Sequence, residues 1–186
     1  MMEEPDYLHF QSIPWCSPLL KDPAFVVTPT FSRQPKVSTE DSLIAETFQT
    51  SKTIPFCLSL YRAPASGTTW ISEVVTLMSL GTGLNGGPAL LHGGVIATLM
   101  DDVIGTLLTV NKDANAMPIS STTVTASLNV SYLRSVPTPG TVLVVARCRE
   151  VNGRKYQMEA EVRDGKGTVL AKADSLWIGP RSGGRL

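Results

Sequence analysis

The sequence predicts an α+β domain built from one long buried helix and an antiparallel sheet, and three observations carry that prediction. Residues 90–110, "LLHGGVIATLMDDVIGTLLTV", are long enough for a helix from about Gly93 to Val110. Val95, Ile96, Leu99, Met100, Val103, Ile104, Leu107 and Leu108 place apolar groups on nearly every side of it, the pattern of an enclosed helix rather than a surface one. Four β-rich segments follow. "STTVTASLNVSYLRS", "GTVLVVARCREV", "RKYQMEAEVRD" and "GTVLAKADSLWIG" are separated by Pro or Gly turns and read as a meander. Between the second and third stands Asn152-Gly153, the dipeptide favoured in type I′ hairpins because both central residues need positive φ.

Before the helix, "TTWISEVVTLM" (68–78) is rich in β-branched residues and reads as a strand, and "GTGLNGGP" as a loop. Residues 1–55 form a Pro-rich arm in which Pro5, Pro14, Pro18, Pro23, Pro29 and Pro35 interrupt every candidate element. The arm also carries Tyr7, Phe10, Trp15, Phe25 and Phe31, so it is expected to pack on the domain. A short helix is expected within 38–52, capped by Ser38 or Thr39. The domain organisation is thus arm 1–55, globular domain 56–180 and tail 181–186.

The chain has 186 residues, 42% of them hydrophobic and 17% charged, with 16 basic and 16 acidic side chains. One domain with a sizeable core fits that length. A formal net charge of zero with no basic cluster argues against nucleic acid or anionic lipid as partner. Cys16, Cys57 and Cys148 are widely spaced and odd in number, and His9 and His92 are the only histidines, so neither a disulfide framework nor a metal site is expected. The acidic N-terminus lacks an apolar targeting core, and the longest apolar run is broken by Asp101 and Asp102. A cytoplasmic protein without a membrane span is the expectation.

Two adjacent aspartates in a core helix call for an explanation. Neighbouring helical residues point about 100° apart, so Asp101 and Asp102 cannot serve one purpose in one direction. A buried carboxylate is ordinarily satisfied by nearby hydroxyls or backbone. Here, however, His92-Gly93-Gly94 opens the same helix. Glycines there let backbone approach a ligand closely, and their N–H groups at the positive end of the helix dipole suit an oxyanion. A carboxylate base together with an oxyanion donor points to acyl transfer. Gly93 and Asp101 lie eight residues apart, about 12 Å along a helix, too far to address one carbonyl. If they cooperate, Gly93 of one chain meets Asp101 of a second in a two-fold homodimer with two equivalent sites.

"HGGVIATLMDD" resembles the His-Gly-Gly, six residues, Asp signature of the PaaI-like and THEM4-like hotdog-fold acyl-CoA thioesterases, and "TASLNVSYLRSVP" resembles the strand that follows the helix in that family. The resemblance covers about 68–178. It implies a curved antiparallel sheet wrapped around the helix, and dimers, or dimers of dimers, that join their sheets edge to edge. It implies Asp101 as general base or nucleophile, the Gly93 amide as oxyanion donor, and Thr125 as the hydroxyl that positions water. No cofactor is implied. Asp102 has no role in this scheme and reads as structural.

His92 reads either as a substrate contact or proton donor, or as an imidazole that fixes the loop into the helix. Gly94 and Asn85 are further candidate substrate contacts, although the spacing of "NGGPALLHGG" differs from that of relatives with an amide before the motif. Arg134 is a candidate for the polar arm of the substrate. The expected substrate is an acyl-CoA thioester. The alternatives are an acyl-carrier-protein thioester in a biosynthetic pathway and a domain that binds acyl-CoA without hydrolysing it.

Overall fold

The computed structural model describes residues 5–117 and 123–180. Helix α3 spans Gly93–Asp113, three residues beyond the expected end. Leu99, Met100, Val103, Ile104 and Leu107 are fully buried on it. They pack against the sheet through Val74, Met78, Val144, Met158 and Val162 among others. Each such side chain contributes on the order of 2 kcal/mol by leaving water, so the all-round apolar sequence finds its match in a sheet that encloses the helix.

The strands are β1 (Phe25–Thr28), β2 (Cys57–Arg62), β3 (Glu73–Leu80), the short pair β4 (Asn85–Gly87) and β5 (Leu90–Leu91), then β6 (Val124–Tyr132), β7 (Gly140–Asn152), β8 (Lys155–Arg163) and β9 (Val169–Ile178). Seven of them form one antiparallel sheet in the order β1-β2-β3-β7-β8-β9-β6. The expected four-strand meander is therefore corrected. β7, β8 and β9 are successive neighbours, but β6 lies at the far edge, paired with β9 through Thr125↔Trp177 to Tyr132↔Ala171. The chain crosses from β6 back to β3 before entering β7, a connection that strand patterns alone do not specify.

Local chemistry explains the other differences. β3 begins at Glu73 rather than Thr68 because the backbone of Ile71 is already engaged. Its N–H donates to Asn111 Oδ1 at 2.8 Å, and its carbonyl accepts from Asn111 Nδ2 at 2.8 Å. In the β7–β8 hairpin Asn152 pairs with Lys155, so the two central residues are Gly153 and Arg154. Of these, only Gly153 has positive φ (57°), which is the requirement of a II′ rather than a I′ turn.

The arm is more structured than its prolines suggest. Helices α1 (Pro5–Gln11) and α2 (Ser17–Lys21) carry Pro5 and Pro18 in their first turns, where a missing N–H costs nothing. Phe10 and Cys16 are fully buried against Leu58, Leu60, Val75, Leu77 and Val145 on the face of the sheet opposite α3. β1 then pairs with β2 and becomes an edge strand of the main sheet. The short helix expected within 38–52 is one turn, Leu43–Thr47. The tail, 181–186, lies outside the described residues, as do residues 121–122 at the expected start of β6.

Candidate active site

The helix starts where the sequence of its first turn allows. His92 is the N-cap, with extended backbone, and its Nδ1 accepts the Gly94 N–H at 2.9 Å. Gly86 permits this arrangement, since a Cβ there would stand 2.8 Å from His92 Cα. The Gly93 N–H has no partner among the described residues, while its carbonyl accepts from Tyr132 Oη at 3.0 Å. Tyr132 ends β6, so the edge strand braces the helix N-terminus. Asn85 Oδ1 accepts from the hydroxyl of Thr138 in the loop before β7. Arg134, just beyond β6, donates to the Val169 carbonyl at 3.3 Å.

A second cluster forms two turns along α3. Asp101 is partly exposed, and its Oδ1 accepts from Thr125 Oγ1 on β6 at 2.8 Å. The register of β6 against β9 shifts between Thr125 and Ser127; an extra residue in one strand re-aims the side chains beside it. Burial pushes the Asp101 carboxyl above the usual aspartate range, and the Thr125 hydrogen bond opposes that rise. A carboxylate so placed is a stronger base than a solvated one.

Asp102 is held from the arm side. Its Oδ2 accepts from Ser32 Oγ at 3.1 Å, on the helical turn Phe31–Arg33 of the arm. Burial raises its pKa to about 6, and the hydrogen bond from Ser32 works against the shift. The same arm segment is held independently: Arg33 Nη1 donates to the Ile54 carbonyl at 3.0 Å, and Lys36 Nζ to that of Phe31 at 3.1 Å.

Asp101 and Asp102 share a cavity of about 260 Å³ bounded by Gly105, Thr106 and Thr109 of α3, Trp177 of β9, and Phe31 and Ser32 of the arm. Among the described residues no group of three His, Cys, Asp or Glu side chains is placed to hold a metal.

The residues named from sequence thus fall into two groups. Asp101 and Thr125 meet directly. His92, Gly93, Gly94, Asn85 and Arg134 belong to the helix N-terminus and its surroundings, about 12 Å of helix away from Asp101. Ser32, Phe31 and Tyr132 were not foreseen. The aromatic content of the arm announced packing, but only the folded chain places the arm beside α3.

Residues 89–171 match the family model of the thioesterase superfamily. The chain is 29% identical over 164 residues to verlamelin biosynthesis protein B of Lecanicillium sp, covering 73% of this chain and 71% of that protein. Over 107 residues it is 30% identical to acyl-coenzyme A thioesterase THEM4 of Bos taurus, covering 57% of this chain and 40% of the relative. It therefore spans less than half the length of the THEM4 proteins it matches. Among solved structures, zebra fish thioesterase superfamily member 2 superposes with a TM-score of 0.56 over 78% of this chain and 87% of that one, at 16% identity, a likeness of fold. Residues 89–171 thus resemble the thioesterase superfamily in sequence, and the helix-enclosing antiparallel sheet around them resembles the hotdog type in fold.

Proposed function

We propose that the protein is a homodimeric hydrolase of acyl-CoA thioesters with Asp101 as its general base. The observation that carries this reading is the desolvated Asp101 carboxylate, oriented by Thr125 through one oxygen, which leaves Oδ2 for a water. Asp101 removes a proton from that water as its oxygen bonds to the thioester carbonyl carbon. The carbonyl oxygen, now anionic, is held by the Gly93 N–H of the partner subunit at the positive end of its helix. The C–S bond then breaks, and the proton on Asp101 passes to the departing thiolate, giving free acid and thiol.

Two features support the pairing of two chains. The Gly93 amide and Asp101 lie too far apart on one helix to act on one carbonyl. β6 is an edge strand of nine residues, and Val124, Tyr132 and the following Leu133 are 41%, 54% and 49% exposed; such an edge invites pairing with another chain. Joining two β6 edges sets the two α3 helices side by side.

A second reading is favoured by the similarity to a protein named for verlamelin biosynthesis: release of an acyl group from a carrier protein. Both readings use the same chemistry. Thiol release from matched acyl-CoA and acyl-carrier-protein thioesters, by wild type and Asp101→Asn, tests them together. Turnover of either substrate that is lost in the variant supports Asp101 as base and identifies the carrier; full turnover by Asp101→Asn refutes it.

A further inference from the structure

The Asp101 cavity does not stand alone. A second cavity of about 320 Å³ lies further along α3, bounded by Val110 and Ala114 of that helix, by Ile71, by Tyr61 of β2, and by Pro29 and Phe31 of the arm. The helix residues that bound the two spaces run in one series, from Asp101, Gly105 and Thr109 to Val110 and Ala114, about 20 Å of helix. Among the described residues, Phe31 alone lines both cavities.

We propose that Phe31 is the partition that sets how long an acyl chain the site accepts. This inference rests on the thioester-hydrolase reading above, with the scissile carbonyl at Asp101. The near cavity is the polar one, with the three carboxylates of Asp41, Asp101 and Asp102 and the hydroxyls of Ser32, Thr106, Thr109 and Thr123. The far cavity is mainly apolar, with Thr28 and Asp113 as the other groups of its wall and no cation among them. Its occupant is therefore the hydrocarbon tail of the substrate rather than the anionic nucleotide of coenzyme A. Since a cavity of about 150 Å³ accepts benzene, the near space alone holds roughly ten non-hydrogen atoms, a medium-length acyl group. Any longer chain has to pass the ring of Phe31.

The backbone beneath that ring is pinned on several sides. Ser32 donates to Asp102, Arg33 to the Ile54 carbonyl, Lys36 to the Phe31 carbonyl, and Thr30 Oγ1 to Ser59 Oγ at 2.8 Å. Phe31 itself is only partly buried, so its side chain can be exchanged while the turn that carries it stays in place. The arm lies outside residues 89–171 matched by the family model. Selectivity thus comes from a segment added to the chemistry rather than from the catalytic domain itself.

The test is kcat/KM for butanoyl-, octanoyl-, dodecanoyl- and hexadecanoyl-CoA with wild type, Phe31→Ala and Phe31→Trp, alongside binding of the matching S-alkyl thioethers of coenzyme A. Wild type is expected to favour octanoyl-CoA. Phe31→Ala should raise the ratio of dodecanoyl to butanoyl turnover by about tenfold, the discrimination a hydrophobic pocket gives for a methylene or so of fit, and Phe31→Trp should lower it. The thioether affinities should follow the same order. Identical length profiles in all three proteins, or a uniform loss at every length, would overturn the proposal. If wild type cleaves none of the thioesters but the Phe31 variants still reorder thioether binding, the hydrolase reading fails and the partition stands.

Discussion

Asp101 and Asp102 are chemically identical neighbours on one helix, yet they belong to different parts of the molecule. Asp101 faces β6 and is held by Thr125, within the segment shared with the thioesterase superfamily. Asp102 faces the arm and is held by Ser32, outside that segment. Burial raises both pKa values, and in each case one hydroxyl opposes it. Both border one cavity; the difference between them is what holds the carboxylate, β6 through Thr125 for Asp101 and the arm through Ser32 for Asp102. A helical rotation of about 100° per residue is enough to separate the two roles.

The contrast breaks most visibly at Asp101. Replacement by Asn keeps the shape and the Thr125 contact but removes the base, and thiol release should fall roughly a hundred- to ten-thousand-fold while thermal stability changes little.

Asp102→Asn should act on stability instead. The folded pKa of about 6 lies above the unfolded value of 3.8, so the native chain holds the extra proton between those limits. The contribution is fully present below about pH 4 and is lost as pH rises through 6, about 2–3 kcal/mol in total. Denaturant unfolding across that range should show wild type weakening as pH rises and the Asn variant nearly flat. A wild-type curve that does not weaken would show Asp102 to be less buried than described.

Thr125→Ala sharpens the comparison from the other side. It removes a hydrogen bond that favours the charged form of Asp101, so the acidic limb of the pH–rate profile should move to higher pH. Thr125→Ser should restore it. The smallest effect is expected from Ser32→Ala: about 1 kcal/mol of stability at pH 7, where Asp102 is ionised, and less at pH 5. An equal loss at both pH values would mean that Ser32 supports the arm without reference to the charge on Asp102.

The helix and its two aspartates were legible in the sequence because apolar residues all round a helix have one good solution, enclosure, and because a carboxylate there has few uses. The pairing of Asp101 with Thr125 came from the resemblance of "HGGVIATLMDD" and "TASLNVSYLRSVP" to a family, not from periodicity. The place of β6 at the sheet edge was not legible. A strand pattern records which residues alternate, not which strand becomes the neighbour, and the crossing from β6 to β7 leaves no local signal. β2 was missed in the same way, since "CLSLYR" is short and follows a Pro-rich stretch. The helices of the arm were not legible because proline breaks most elements, whereas Pro5 and Pro18 occupy first turns that tolerate it. The contact of Ser32 with Asp102 joins residues seventy apart, a separation at which a single sequence carries no pairing information.

The shared site is the central claim, and subunit mixing tests it most directly. Gly93→Pro removes the amide hydrogen and adds a pyrrolidine ring, whose Cβ would stand 3.5 Å from the Tyr132 ring, an ordinary contact. The position is the first of the helix, where Pro is well tolerated, and the extended backbone of His92 (φ −63°, ψ 134°) suits a residue before Pro. Gly93→Pro and Asp101→Asn should each be inactive alone. Denatured together and refolded in equal amounts, they form hybrid dimers in which one of the two sites has both its Gly93 amide and its Asp101, so about a quarter of wild-type turnover should return. No recovery in the hybrids, or a Gly93→Pro protein as active as wild type, would contradict a site assembled from the Gly93 amide of one chain and the Asp101 carboxylate of the other.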